Sequence, residues 1–335
     1  MASDEKDHWE ATIRKELDSI KANGTWKYVQ APEDRKPLKT TWVFRVKEKS
    51  DGIIERFKAR LVAKGFLQIK GLDYSGVFAP VMRLESLRTL LAVANAHDLS
   101  VDQMDIDTAF LNGILQDTIY IDLPEGLSVE DILDEIDWVG ANPTAADVKR
   151  VACLLVKALS CLKQSPREWH KVLTAFLGEI GFEKTNVESC IYTRQTNGQQ
   201  AIIAIYVDDL VLVAQNDHVM ADLKSAIKQR FASKDMGPIH YIFGLKIIRD
   251  RKKRLIHISQ PLNALNMLKR FQLDRARPAT IPLNEVLKAS DSPTEDQSKS
   301  EAYAAMHAST RPDLAYAVQS LSRFLNRPGK NISAK

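Results

Sequence analysis

Two adjacent carboxylates, Asp208 and Asp209, interrupt the apolar run "AIIAIYVDDLVLVA" from Ala201 to Ala214. An ionised carboxylate is costly to bury without a partner. The pair is therefore either a hairpin tip protruding into water, where Asp is common, or it faces compensating positive charge. A second acidic position bears on the choice. In "VDQMDIDTAF", Asp105 alternates with Met104 and Ile106, so it lies on the strand face opposite two apolar residues. Two strands of this kind can converge in one sheet and bring three carboxylates together. Such carboxylates repel one another until cations compensate them, and hard oxygen donors select Mg²⁺. Two ions about 3.5–4 Å apart clamp the attacking and leaving oxygens of an in-line phosphoryl displacement. The chemistry open to Asp105, Asp208 and Asp209 is thus two-metal phosphoryl transfer; the competing reading is a solvated acidic cluster on loops. Asp107 shares the strand face of Asp105.

The elements that must position these groups follow from periodicity. His8 to Lys21 reads as a helix with Trp9, Ile13, Leu17 and Ile20 on one face. "TTWVFRVKEKSDGIIERFKARLVAKGF" alternates and reads as a hairpin turning at Asp51-Gly52. Its second strand presents Arg56, Lys58 and Arg60 on one face and Phe57, Ala59 and Leu61 on the other. "LESLRTLLAVANAHD" is a helix burying Leu84, Leu87, Leu91 and Ala94, and "SPREWHKVLTAFLGEIG" is another, with Pro166 in its first turn. Asp217 to Phe231 is a third; "PIHYIFGLKIIRD" and "RLIHISQ" pair as strands. "SVEDILDEIDWVGANPTAAD" reads as an insertion with one short helix, "NEVLKASDSPTEDQSKSE" as a polar linker, and "RPDLAYAVQSLSRFL" as a final helix. Hairpins interspersed with helices, rather than regular βαβ units, define an α+β fold.

Bulk properties exclude several classes. The chain has 335 residues, long enough for two or more compact units. Its net charge of +4 is mild, so a nucleic-acid partner would need a local basic groove. Cys153, Cys161 and Cys190 are too few and too irregular for a disulfide framework or a zinc site. The polar "MASDEKDHWE" start is no signal peptide, and no apolar run is long enough to span a bilayer. The expectation is an intracellular protein without a membrane partner.

"YVDD" (Tyr206–Asp209) in an apolar hairpin, with "MDIDTAFLNG" (Met104–Gly113) upstream, resembles the catalytic motifs of reverse transcriptases. "NGTWKYV", "RFKARLVAKGF", "FAPVMRLESLRTLLA", "IYIDLPEGL", "LKQSPREW" and "TRPDLAYAVQSLSRF" narrow the resemblance to the polymerase segment of copia-type long-terminal-repeat retrotransposon polyproteins, in the same order and over nearly the whole chain. The resemblance implies a right-hand polymerase of fingers, palm and thumb, with an antiparallel palm sheet flanked by helices. Residues 1–35 would be an N-terminal helix and lead-in. Residues 36–250 would form interleaved fingers and palm with an insertion near 128–150, and 251–335 a thumb or connection region ending before any ribonuclease H domain.

The same resemblance implies an RNA-directed DNA polymerase using an RNA or DNA template with primer, dNTPs and two Mg²⁺ ions, with Mn²⁺ as a substitute. It would work in the cytoplasm, in or near element particles, with access to the nucleus. Asp105, Asp208 and Asp209 fall on the family's metal-binding aspartates. Phe110 falls on an aromatic that packs under the incoming sugar and excludes a 2′-hydroxyl; plain core packing is its alternative. Arg56, Lys58 and Arg60 lie where the nucleotide triphosphate is contacted, against a solvated strand edge as the alternative. Lys163 and Gln164 fall in the segment lining the nucleotide and template pocket. Lys234 is placed like a lysine that protonates the leaving pyrophosphate, against an ordinary exposed loop lysine.

The chain departs from the family pattern in "LSCLKQSP", where the family reads "LYGLKQSP". Cys161 stands at a glycine position, which serves either close approach of backbone to a ligand or a positive φ. A side chain there would crowd the pocket or strain the loop. The stretch before "TRPDLAYAV" is also short for the family. Three functional readings follow: an active polymerase, a remnant that binds nucleic acid without polymerising, and an inert relic.

Overall fold

The computed structural model describes residues 5–48, 54–127 and 147–270 and the separate positions 132, 133, 135, 136, 272 and 275. The turn expected at Asp51-Gly52, most of the insertion, the polar linker and the final helix lie outside the described residues. In chain order the elements begin with α1 (Lys6–Ala22), β1 (Trp26–Gln30), β2 (Thr40–Glu48), β3 (Ile54–Ala63), α2 (Leu84–Ala96), β4 (Ser100–Ile106), β5 (Ile114–Asp122) and β6 (Val151–Lys157). They continue with α3 (Ser165–Glu179), β7 (Glu183–Lys184), β8 (Ile191–Thr196), β9 (Gln199–Tyr206), β10 (Asp209–Ala214), α4 (Asp217–Arg230) and β11 (Ser233–Pro238). The last are β12 (Tyr241–Ile242), β13 (Leu245–Asp250), β14 (Leu255–Ser259) and α5 (Pro261–Arg270). The chain divides into two compact units, Met1–Met82 with Asp102–Gly237, and Arg83–Val101 with Pro238–Lys335.

The first unit is built on a six-stranded sheet in the order β11-β4-β10-β9-β8-β7. Its central hairpin is apolar at nearly every position because both faces are covered, which is why "AIIAIY" does not alternate. Ala201, Ile203, Ile205, Leu210, Leu212 and Ala214 pack into one core with Trp169, Leu173, Phe176 and Leu177 of α3 and Val219, Met220, Leu223 and Ile227 of α4. Ile202, Ala204, Val211 and Val213, on the opposite face, are buried as well. The spacing of the α3 set, at intervals of three and four, is that of one helical face. α4 starts at Asn216, whose side-chain oxygen accepts from the Val219 N–H at 3.0 Å, an N-cap of the usual kind.

A second core in this unit lies under the three-stranded antiparallel sheet β1-β6-β5 and takes in Ile20 of α1. Periodicity alone did not distinguish these three strands. The β2–β3 hairpin pairs antiparallel, with Arg45 opposite Lys58 and Val43 opposite Arg60. Ala59 and Leu61 are buried and Arg56 and Arg60 exposed, as the alternation predicts. α1 packs on β3, and Trp9 sits edge-on to Phe44 and Phe57 with ring centroids 5.0 and 4.8 Å away.

The second unit contains α2 and the three-stranded β12-β13-β14 sheet. α2 buries Leu87, Leu91 and Ala94 as expected, but Leu84 is only half-buried and Leu90 is the further core residue. Leu84 opens the helix, so its side chain has no preceding turn to pack over. Arg249 of β13 donates to the carbonyl of Leu99 at 2.6 Å, in the turn after α2, and to that of Ala94 at 3.2 Å, a C-terminal group of the helix.

Candidate active site

The β9–β10 hairpin pairs Tyr206 with Asp209, leaving Val207 and Asp208 as a two-residue loop. Turns that short match the strand twist only with positive φ in the loop. Val207 supplies it, at φ 56°. A β-branched residue is an outlier in that region, and such strain is worth about 1–3 kcal/mol. The surroundings hold the turn in place. The indole Nε1–H of Trp169, a residue 1% exposed, donates to the Val207 carbonyl at 2.7 Å.

β4 lies beside β10 in the sheet. The Ile106 N–H donates to the Asp208 carbonyl at 2.9 Å, so the end of the Asp105 strand is joined to the hairpin tip. The chain then leaves the strand abruptly. The Asp107 N–H donates to Ala232 at 2.9 Å, and Thr108 takes a left-handed φ of 51° into a short 3-10 turn, Ala109–Asn112. Partial burial pushes the Asp105 carboxyl above its ordinary range, and the Asp208 charge pushes it further. Lys234 and Lys58 oppose that shift, and Asp107 adds to it. Burial also raises Asp209, with Asp208 and Asp105 adding to the rise. Gln103 limits it, since its amide donates to Asp209 Oδ1 at 2.9 Å. The carboxylates therefore sense one another across two strands.

Lys234 is not a loop residue; it lies on β11, the edge strand next to β4, and pairs with the Asp107 carboxylate. Sheet pairing overrides the turn character of "ASKDMGP" there. Lys58 reaches the electrostatic neighbourhood of Asp105, whereas Arg60 lies beside Glu16 of α1 and Arg56 is exposed. Phe110 is half-buried against the α3–α4 core. Gln164 is fully buried: its Nε2 donates to the Asp73 carbonyl at 2.8 Å and its Oε1 accepts from Gln68 at 3.0 Å. Lys163 donates through its backbone N–H to Gln68 Oε1 at 2.8 Å, and its ammonium lies 4.7 Å from the Tyr74 ring centroid. Both residues thus pin the segment between residues 64 and 76.

Cys161 is exposed and sits at φ 69°. Of the two uses of glycine at that position, the positive φ is the one seen. Its carbonyl also packs on Gly65, where an added Cβ would lie 2.0 Å from the Cys161 oxygen. Sequence reasoning missed Trp169 and Gln103. Both look like ordinary core residues, and the only available signal was a polar atom in a buried position, which needs a partner.

Together these features define a class: an α+β chain whose antiparallel sheet carries a carboxylate-bearing hairpin beside a second acidic strand end. Residues 23–285 match the reverse transcriptase (RNA-dependent DNA polymerase) family. The chain is 36% identical over 344 residues to the retrovirus-related Pol polyprotein from transposon TNT 1-94 of Nicotiana tabacum, covering 98% of this chain and 25% of that protein. It is 32% identical over 332 residues to the Pol polyprotein from transposon RE1 of Arabidopsis thaliana, covering 96% of this chain and 21% of that protein. Similarity to the Ty1-DR1 Gag-Pol polyprotein of Saccharomyces cerevisiae is 26% over 262 residues, covering 74% of this chain and 13% of that protein. The chain belongs to the reverse transcriptase family, as a segment of the copia type. It spans a quarter or less of the polyproteins it matches.

Proposed function

We propose that the chain is the RNA-directed DNA polymerase of a copia-type retrotransposon, adding dNTPs to a primer 3′ end on an RNA or DNA template and releasing pyrophosphate. The observation that carries this reading is the Ile106–Asp208 hydrogen bond, which joins the two acidic strand ends in a chain of this family. The six-stranded sheet with α3 and α4 would be the palm and the β2–β3 hairpin part of the fingers, within 36–250 after a lead-in over 1–35. Residues 251–335 would be the thumb or connection.

The donor set fits a hard divalent cation. Among the described residues no group of three or more acidic, His or Cys side chains forms a ready-made metal cluster. Mg²⁺ does not need one, because it is typically held by one or two carboxylates together with substrate phosphates. Asp105, Asp208 and Asp209 would hold two such ions, with Asp209 steadied by Gln103. Bound Mg²⁺, or Mn²⁺ in its place, supplies charge stabilisation to the attacking and leaving oxygens of the phosphoryl transfer.

The chain's own residues do the rest. Lys58 meets the polyphosphate, with Arg56 and Arg60 on the same strand face. Phe110 lies under the sugar and rejects a 2′-hydroxyl. Lys234, paired with Asp107, gives its Nζ proton to the leaving pyrophosphate. Lys163 and Gln164 hold the 64–76 segment as the pocket wall. The template–primer binds mainly through its phosphates, so affinity falls steeply with salt.

Primer extension on an RNA template with Mg²⁺ tests the reading. Extension is expected for the natural sequence and none for Asp208→Asn, with hybrid-duplex binding nearly unchanged between them. Binding without extension by the natural sequence would instead identify a non-catalytic remnant, and absence of both an inert relic.

A further inference from the structure

Trp169 is a core residue by every packing measure: it is 1% exposed, and its ring meets Phe231 edge-on with centroids 5.2 Å apart. One atom is out of keeping with that role. Its indole N–H crosses from α3 to the hairpin and donates to the carbonyl of Val207, at 2.7 Å. That carbonyl belongs to the loop residue with positive φ, next to Asp208. The loop is too short to bond itself beyond the Tyr206–Asp209 register pair. A two-residue loop has one soft motion: rotation of the Val207–Asp208 peptide, which changes ψ of Val207 and φ of Asp208. The same rotation would swing the Asp208 side chain away from Asp105. The indole bond opposes it directly, because the rotation carries the Val207 oxygen off the donor and leaves the N–H of a buried Trp169 unpaired.

The base of the clamp is rigid. Gly113, which ends the 3-10 turn carrying Phe110, packs so closely on the first turns of α3 that an added Cβ would stand 2.9 Å from the backbone nitrogen of Trp169. The Ala158 N–H bonds to the Gly113 carbonyl at 2.8 Å and fixes the turn from the other side. Phe231, against the Trp169 ring, immediately precedes Ala232, whose carbonyl receives the Asp107 N–H. Trp169 therefore bonds the loop that carries Asp208 and packs on the residue next to the one that anchors Asp107.

We infer that Trp169 is a positioning residue for the metal-binding carboxylates: its indole N–H locks the Val207 carbonyl and thereby the direction of Asp208. This rests on the polymerase reading for its kinetic consequence, but not for its effect on divalent-ion affinity. The test replaces Trp169 in the full chain with 3-benzothienylalanine, which keeps the ring outline and puts sulfur in place of the N–H, beside the simpler Trp169→Phe. Mn²⁺ affinity is read by electron paramagnetic resonance, and primer extension is read as kcat and KM for dNTP per folded molecule.

Loss of one neutral hydrogen bond corresponds to about a tenfold change or less. The analogue is therefore expected to weaken Mn²⁺ binding and lower kcat, each by about three- to tenfold, with KM within about twofold. A residue that only fills the core would lower the unfolding temperature and leave both readouts where they were. Unchanged Mn²⁺ affinity in the analogue overturns the inference, whether or not the natural chain extends a primer. Weakened Mn²⁺ binding in a chain that never extends one would uphold the clamp and refute the polymerase.

Discussion

Cys161→Gly should make the protein more stable, although it deletes a side chain. Cys161 sits at φ 69°, a left-handed conformation that costs a non-glycine residue about 1–2 kcal/mol. The residue has no room to relax, because its carbonyl is seated on Gly65, where an added Cβ would stand only 2.0 Å away. Glycine removes the steric penalty but adds freedom to the unfolded chain, worth about 0.4–1 kcal/mol in the opposite direction. The thiol is exposed, so almost no buried apolar surface is lost. The balance is a gain of about 0.5–1 kcal/mol, or about 1–4 °C in Tm for a unit of this size. Urea unfolding should show a higher midpoint with an unchanged slope. Cys161→Ala separates strain from chemistry, since alanine keeps the penalty and loses the thiol; it should gain no stability. An unchanged or lower midpoint for the glycine variant would refute the strain argument. If extension also rises in both variants, the side chain crowds the pocket as well.

The mutual repulsion at the site gives further expectations. Asp105→Asn should abolish extension yet raise stability in metal-free buffer by about 0.5–2 kcal/mol, the usual range for relieving an unfavourable site; calorimetry with chelator checks it. Asp105 and Asp209 have raised carboxyl pKa values in the fold, so their contribution is fully present below the unfolded value and is lost as pH rises through the folded one. Metal-free melts should therefore lose stability from about pH 4 upward, and Mg²⁺ should reduce that loss; identical profiles with and without Mg²⁺ would contradict the assignment. Phe110→Ala should admit ribonucleotides while dNTP incorporation persists, read as the ratio of the two kcat/KM values. A ratio equal to that of the natural sequence would return Phe110 to a packing role.

What the sequence made legible was periodicity and type. The α3 stripe of Leu173, Phe176 and Leu177, the β3 alternation and the doubly buried β9–β10 hairpin all follow from the side-chain repeat of one element. Asp105 beside Asp208 was legible in the same way, since each acid interrupts an apolar strand. β1, β5 and β6 were not, because "ILQDTIYID" mixes exposed and buried positions through an irregular register with β6. Gln164 shows a different limit. Residue type says that an amide will find partners, but only the fold shows that Gln68 and Asp73 provide them rather than a nucleotide. Trp169 was invisible for the complementary reason: one N–H on a large apolar ring leaves no trace in a hydrophobic pattern.

Two of the first unit's strained residues and its carboxylate repulsion lie at the proposed site. Val207 and Thr108 hold positive φ, and Asp105 and Asp208 repel each other across the sheet. Two strained residues at about 1–3 kcal/mol each equal the burial of roughly one or two core side chains at about 1.5–3 kcal/mol each. The same unit supplies far more than that behind the hairpin, where Leu210, Leu212, Ile203 and Leu173 are fully buried. Strain of this size persists only where the surroundings leave no alternative, and here they are specific. The Ile106 N–H holds Asp208, the Trp169 indole holds Val207, and the Ala232 carbonyl holds Asp107. A surface acidic cluster would need none of these bonds, because water would separate its charges without them. Three backbone anchors on two acidic segments are what a centre requires when its carboxylates must stay together before any cation arrives.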